Sequence, residues 1–166
     1  MEINEEIRLD NVRMVLDEYA LKFQELIKRK IVEQDKVASG NLLASIHTEV
    51  NINGDVYTVY LHSEHYLKFI ELGTKPHWPP PQPMIEWVKN KKLPTKESTG
   101  NKSLPTEKQL AYLVSRKISE VGTKPVPIIA ETQEELNEAY IPRLQAALEL
   151  DIYNALPIIQ IQLRFI

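Results

Sequence analysis

The sequence predicts an α+β fold: a small, mainly antiparallel sheet packed against a long N-terminal helix and further helices. Three observations carry that prediction. Residues 5–34 place apolar side chains at helical spacing, residues 46–61 alternate around an Asn-Gly pair, and two Thr-x-x-Gln/Glu signatures precede apolar runs of helical period.

In residues 5–34, Val12, Val15, Tyr19, Phe23, Leu26 and Ile31 recur at steps of three to five. Lys28, Arg29 and Lys30 stand near the C-terminal end, where cations complement the helix dipole. A helix of that length spans about 45 Å at roughly 1.5 Å per residue, long enough to lie along a sheet or a neighbouring subunit. Residues 38–43 (Ala-Ser-Gly-Asn-Leu-Leu) read as a break. A strand follows, with Ile46, Thr48, Val50 and Ile52 on one face and His47, Glu49 and Asn51 on the other. Asn53-Gly54 then predicts a type I′ turn, whose two central residues both need positive φ, and residues 55–61 return as the second strand.

Residues 76–83 hold five prolines around His77 and Trp78, an extended arm unfit for a sheet interior. Residues 83–89 predict a short helix with proline in its first turn. The polar stretch 93–105, nearly devoid of apolar residues, predicts a mobile loop. Thr106 and Gln109 form a capping box, opening a helix that buries Leu110, Leu113, Val114 and Ile118 and ends at Gly122 as its C′ residue. Thr132 and Glu135 predict a second box, starting a helix with Leu136, Ala139, Tyr140, Leu144, Ala147 and Leu148. Pro142 falls inside that pattern and predicts a kink or break. The tail returns to period two, with Ile159, Ile161, Leu163 and Phe165 opposite Gln160, Gln162 and Arg164. A strand there must pair with this sheet's edge or a neighbour's. The chain therefore divides into an α+β domain over 1–150 and a C-terminal strand extension over 151–166.

The composition limits the function. A length of 166 residues supports one domain with a real core, and 43% apolar with 26% charged residues is ordinary for a soluble globular protein. A net charge of −3 disfavours general affinity for nucleic acid, although a protein can surround DNA without gripping it. Cysteine is absent, which removes disulfides, thiolate metal sites and thiol nucleophiles. The acidic N-terminus has no signal-peptide pattern, and no apolar run approaches the roughly 18 residues of a bilayer span, so the expectation is a protein made in the cytosol.

One hexapeptide occurs twice: Glu71-Leu72-Gly73-Thr74-Lys75-Pro76 and Glu120-Val121-Gly122-Thr123-Lys124-Pro125. Glycine permits positive φ, and proline pushes the preceding lysine toward extended geometry. Gly73, Thr74, Gly122 and Thr123 therefore read as structural turns. The first leaves a strand region and the second a capped helix, as paired exits bordering an inserted segment and close together in space.

Catalytic chemistry has thin support. His62, His65 and Glu71 form the one cluster resembling a metal site, and a metal-dependent enzyme is the competing reading. Positions three apart on a strand, however, point to opposite faces. No nucleophile elbow and no phosphate-cradling glycine loop is present, so no catalytic residue, metal or cofactor is assigned. Lys89, Lys91, Lys92 and Lys96 read as a solvated face. Trp87 reads as core, and Trp78 either as an interface residue or as packed on its own domain.

The order of segments resembles the small head–tail joining or tail-completion proteins of tailed bacteriophages. The residues that carry the resemblance are Ser39-Gly40-Asn41-Leu42-Leu43-Ala44-Ser45-Ile46, Tyr66-Leu67-Lys68-Phe69-Ile70-Glu71-Leu72-Gly73-Thr74, and Gly122-Thr123-Lys124-Pro125-Val126-Pro127-Ile128-Ile129. They fall within residues 10–150. Ile128-Ile129 stands where that family often has Phe-Leu, and the C-terminal strand lies beyond the family core. The resemblance implies a structural virion protein without catalytic residues or cofactors. Such a protein forms a homo-oligomeric ring at the neck or tail end, between portal, adaptor and tail components, with DNA passing through unread. Trp78, Pro79, Pro80 and Pro81 of the arm and Ile159, Ile161, Leu163 and Phe165 of the tail are the expected contacts between subunits or stacked rings.

Overall fold

The computed structural model describes residues 9–37, 39–54 and 56–156. The architecture is α+β, with seven helices and one antiparallel hairpin among those residues. Among the described residues the sheet has two strands.

Two long helices form the frame. α1 (Asp10–Glu33) buries Ala20, Phe23, Leu26, Ile27 and Ile31, a stripe at steps of three and four. The last helix, Ile128–Ala155, runs antiparallel beside it. Asn11 meets Asp151 at one end and Lys30 meets Glu135 at the other. The buried stripe of this last helix is Ile128, Thr132, Leu136, Tyr140, Ala147 and Asp151. Ile27, Ile31 and Ile128, each no more than 1% exposed, lie at the centre of the core. Full burial of such a side chain contributes about 1.5–3 kcal/mol.

The predicted helix starting at Thr132 is corrected. Helix formation begins four residues earlier, at Ile128 after Pro127. Thr132 is fully buried, its hydroxyl donating to the Ile128 carbonyl at 2.6 Å instead of capping. Of the kink or break predicted at Pro142, the break is absent, because the helix continues through it. Pro142 is exposed, on the side away from the buried stripe, and its missing N–H falls where the helix faces solvent. Since this helix runs past residue 150, the boundary placed at 150/151 is corrected too, at least as far as Ala155.

α2 (Asn41–Ser45) occupies part of the predicted break. Gly40 precedes it at φ 87, a left-handed conformation, and Leu42 is 2% exposed in the core. β1 (His47–Asn53) and β2 (Val56–His62) pair antiparallel with His47 opposite His62 and Asn53 opposite Val56. The hairpin is as predicted, but its tip sits one position later: Asn53 belongs to the ladder and Gly54, at φ 58, begins the connection. Asp55 lies outside the described residues. The expected apolar face divides. Ile46 is buried as the C-cap of α2, Thr48 and Val50 are half-buried, and Ile52 near the tip is 39% exposed. The Thr48 hydroxyl donates to the Ala20 carbonyl and its N–H to Gln24 Oε1, fixing β1 on α1.

α3 (Leu67–Leu72) follows the hairpin and sets Leu67 in the main core. Further along the chain α4 (Pro81–Asn90), after the proline arm, α5 (Lys96–Thr99) and α6 (Glu107–Val121) form a second, smaller layer; the last helix is α7. α4 packs against α6. Val88, Thr95, Ala111 and Ser115 are buried in this layer. α4 starts two residues before the predicted position, with Pro81 at its first position and Pro80 as N-cap. The α6 capping box forms as predicted: Gln109 N–H donates to Thr106 Oγ1 at 3.2 Å and Thr106 N–H to Gln109 Oε1 at 2.9 Å. The buried face is rotated, however, since Leu113 is 52% exposed while Ala111 and Ser115 are buried. Trp87 is half-buried.

Segment 93–105 is corrected from a mobile loop to a folded one. Thr95 and Ser98 form a capping box around α5, Lys96 N–H donates to the Pro105 carbonyl, and Glu97 accepts from Glu107 N–H. Serine at the third position mimics the longer Gln or Glu, a variant the sequence pattern does not flag.

Candidate functional site: the paired glycine–threonine turns

The two hexapeptides meet. Both end a helix, α3 at Gly73 and α6 at Gly122, which corrects the reading of the first as leaving a strand. Gly73 has φ 68 and ψ −172, and Gly122 has φ 71 and ψ −160, so the same turn is made twice. Thr74 and Thr123 then form an isolated antiparallel bridge, each N–H donating to the other's carbonyl at 3.1 Å, with the two hydroxyls 3.0 Å apart.

Two properties of glycine are used at once. Positive φ disfavours any side chain, and the bridge leaves no room for one. A Cβ on Gly73 would lie 2.4 Å from the Thr123 carbonyl oxygen, and one on Gly122 would lie 2.0 Å from that of Thr74. Chain entering and leaving the α4–α6 layer is thereby clasped at one point. Val126 N–H, donating to the Ile70 carbonyl at 2.8 Å, extends the clasp.

The glutamates that open the two hexapeptides have different tasks. Glu71 accepts from Ile129 N–H at 2.8 Å and Ala130 N–H at 3.0 Å, capping α7, whose own N-cap, Pro127, makes no side-chain cap. A carboxylate there satisfies free donors and opposes the positive end of the helix dipole. Glu120 instead faces Arg116 at 3.1 Å on the surface of α6. The backbone pseudo-symmetry is thus broken by the side chains.

The same device closes the other long helix. α1 has Leu9 at its N-cap, which cannot cap, and Asp151 of α7 accepts from Asn11 N–H at 3.1 Å, Asn11 Nδ2 at 2.6 Å and Val12 N–H at 2.9 Å. Burial raises the Asp151 pKa, but these donors outweigh it and hold the carboxyl below its usual value. Midway along the pair, Glu18 accepts from Arg143 Nη1 at 2.8 Å and from the Tyr140 hydroxyl at 3.0 Å. Those hydrogen bonds, Arg143 first, lower the Glu18 pKa to about 2. Sequence reasoning missed both carboxylates, because their partners lie more than a hundred positions away.

The His62, His65 and Glu71 cluster does not assemble. His62 stacks on His47 with ring centroids 4.6 Å apart and meets Glu49 at 3.3 Å across the hairpin. His65 lies edge-on to Phe69, and Glu71 is engaged at α7. Among the described residues no group of three His, Asp or Glu side chains is placed to hold a metal ion.

The proline arm separates into inward and outward parts. Trp78 is 50% exposed with its ring against Tyr112, centroids 5.6 Å apart. Pro79 is buried, which corrects its assignment as a contact residue in the free surface, while Pro80 and Pro81 are exposed at the start of α4. Ile159, Ile161, Leu163 and Phe165 lie outside the described residues. No helix among the described residues is long and apolar enough to cross a membrane.

Comparison with known protein families, curated proteins and solved structures finds no match to this chain.

Proposed function

We propose that the chain is a structural virion protein that forms a ring in the head–tail connector, neck or tail end of a tailed bacteriophage. There it joins portal or adaptor and tail components around the DNA channel. The observation that carries this reading is that Gly73, Thr74, Gly122 and Thr123, among the residues on which the resemblance to the head–tail joining family rests, form the clasp. Glu71, Gly73, Thr74, Gly122 and Thr123 are spent on backbone geometry and helix capping, a mechanical use of the motif. Large apolar side chains left on the surface supply material for subunit contacts. They include Trp78 at 50% exposure, Tyr112 at 57% and Val56 at 62%. Among the described residues the hairpin has no third strand: α1 covers β1 at Thr48, while β2 pairs with no strand beyond β1, which suits strand addition there.

In this reading the arm around Trp78 and the tail 158–166 reach neighbouring subunits or a stacked ring. Deleting 158–166 is expected to abolish rings seen by size exclusion and negative-stain microscopy while the circular dichroism of a folded monomer persists. Unchanged ring formation by the truncated protein would remove the tail from the account.

A further inference from the structure

The charge of this chain is divided between its two layers. Segment 73–125, from clasp to clasp, carries ten Lys and Arg against four Asp and Glu, a net of +6. The rest of the chain carries ten against nineteen, a net of −9. The overall −3 hides this separation.

The separation appears on two helix faces. α6 packs one side on α4 and turns Lys108, Tyr112, Leu113 and Lys117 outward, with Tyr112 and Leu113 more than half exposed. All four carboxylates of the segment are occupied: Glu86 by Gln82, Glu97 by Glu107 N–H, Glu107 by Lys89 and Glu120 by Arg116. Lys108 and Lys117 have no carboxylate within ion-pair distance among the described residues. α7 packs one side on α1 and turns Glu134, Glu138, Ile141 and Pro142 outward around a shallow groove that also includes Ala130. Ile141 is 49% exposed, and Glu134 and Glu138 likewise lack a cationic partner among the described residues.

We propose that the outward face of α6 in one copy docks on the outward face of α7 in the next copy. Each face pairs apolar side chains with charges of one sign that have no ion-pair partner among the described residues, Lys108 and Lys117 on α6 and Glu134 and Glu138 on α7, while Glu120 on the α6 face is neutralised by Arg116; the signs of the two faces are opposite. The patches are different surfaces of one chain, so the contact is heterologous, and its repetition gives a ring when the rotation closes. Apolar contact of Tyr112 and Leu113 with Ile141 and Pro142 supplies burial, while the lysines and glutamates set partner choice and register. This inference rests on the ring reading above and specifies its subunit interface.

Charge exchange tests it. One variant carries Lys108→Glu with Lys117→Glu, a second carries Glu134→Lys with Glu138→Lys, and a third carries all four. Light scattering after size exclusion reads assembly, and circular dichroism with melting confirms folding of these exposed-site variants. The first two variants alone are expected to need at least about tenfold more protein to assemble than the unaltered chain. The four-fold variant, and an equimolar mixture of the first two, should regain assembly. Rings that form equally well in all three variants overturn the interface and leave the ring reading standing. An unaltered chain that stays monomeric at every concentration overturns both. Salt-sensitive binding of duplex DNA that is lost with the α6 changes, while assembly is untouched, assigns the basic face to nucleic acid and overturns the proposal.

Discussion

Thr74 and Thr123 exchange backbone hydrogen bonds in both directions, although 49 positions separate them. The glycine before each threonine is what lets the two backbones approach so closely. A repeated hexapeptide is therefore the sequence record of one contact made from both sides.

Substituting either glycine is expected to be severe. In Gly73→Ala or Gly122→Ala the new methyl would meet backbone oxygen at 2.4 or 2.0 Å, and φ would remain positive. Strain and loss of the paired bonds together should cost on the order of 2–4 kcal/mol, read by urea denaturation. Gly54→Ala, with positive φ but nothing within 4 Å of the added atom, is the control and should cost about 1 kcal/mol. Equal losses at all three positions would show that the clasp contributes nothing beyond backbone strain.

The two glutamates of the repeat should differ in the same assay. Glu71→Ala removes the cap of α7 and should cost about 1–2 kcal/mol. Glu120→Ala removes an exposed ion pair and should stay within about 0.5 kcal/mol of the parent. A larger loss at Glu120 than at Glu71 would contradict this division of labour between the two glutamates.

Stability should fall in acid through Glu18. Its folded pKa of about 2 lies below the ordinary 4.5, so ionised Glu18 favours the folded state above pH 4.5. That contribution declines as pH drops from about 4.5 toward about 2, because the unfolded state takes up the proton first. Asp151, also lowered, acts with the same sign. Glu18→Gln should flatten the dependence of the urea midpoint on pH in that window. An unchanged slope would mean that Arg143 and Tyr140 do not hold the carboxylate in solution.

Thr106→Ala and Thr132→Val separate a real cap from a false one. The first should cost about 1 kcal/mol through loss of the box on α6. The second keeps the buried shape and removes one hydroxyl bond to the Ile128 carbonyl, so it should cost no more than about 1 kcal/mol and leave the start of α7 in place. Amide exchange at residues 129–132 reads that start directly.

Which elements were legible follows from where their causes lie. α1, the hairpin and α6 carry their signals locally, in periodicity, alternation and a capping box. Even so, of Asn53 and Gly54, both expected to take positive φ, only Gly54 does, and the ladder runs one residue further to include Asn53. α2 and α3 are five and six residues long, below what local propensity can sustain, and depend on Leu42 and Leu67 reaching the core. The start of α7 was misplaced because Thr132 and Glu135 imitate a box while the true cap, Glu71, lies 58 positions away. Asp151 was invisible for the same reason, its partners being near the other end of the chain. The meeting of the two glycine turns was legible because identical residues in a short chain point to a shared geometric demand.

The most direct test of the account is the mass of the purified chain in solution by light scattering, paired with negative-stain images of the same sample. A closed ring with a central channel and one dominant stoichiometry is expected. A monomer that persists to high protein concentration, with no ring in the images, would contradict it.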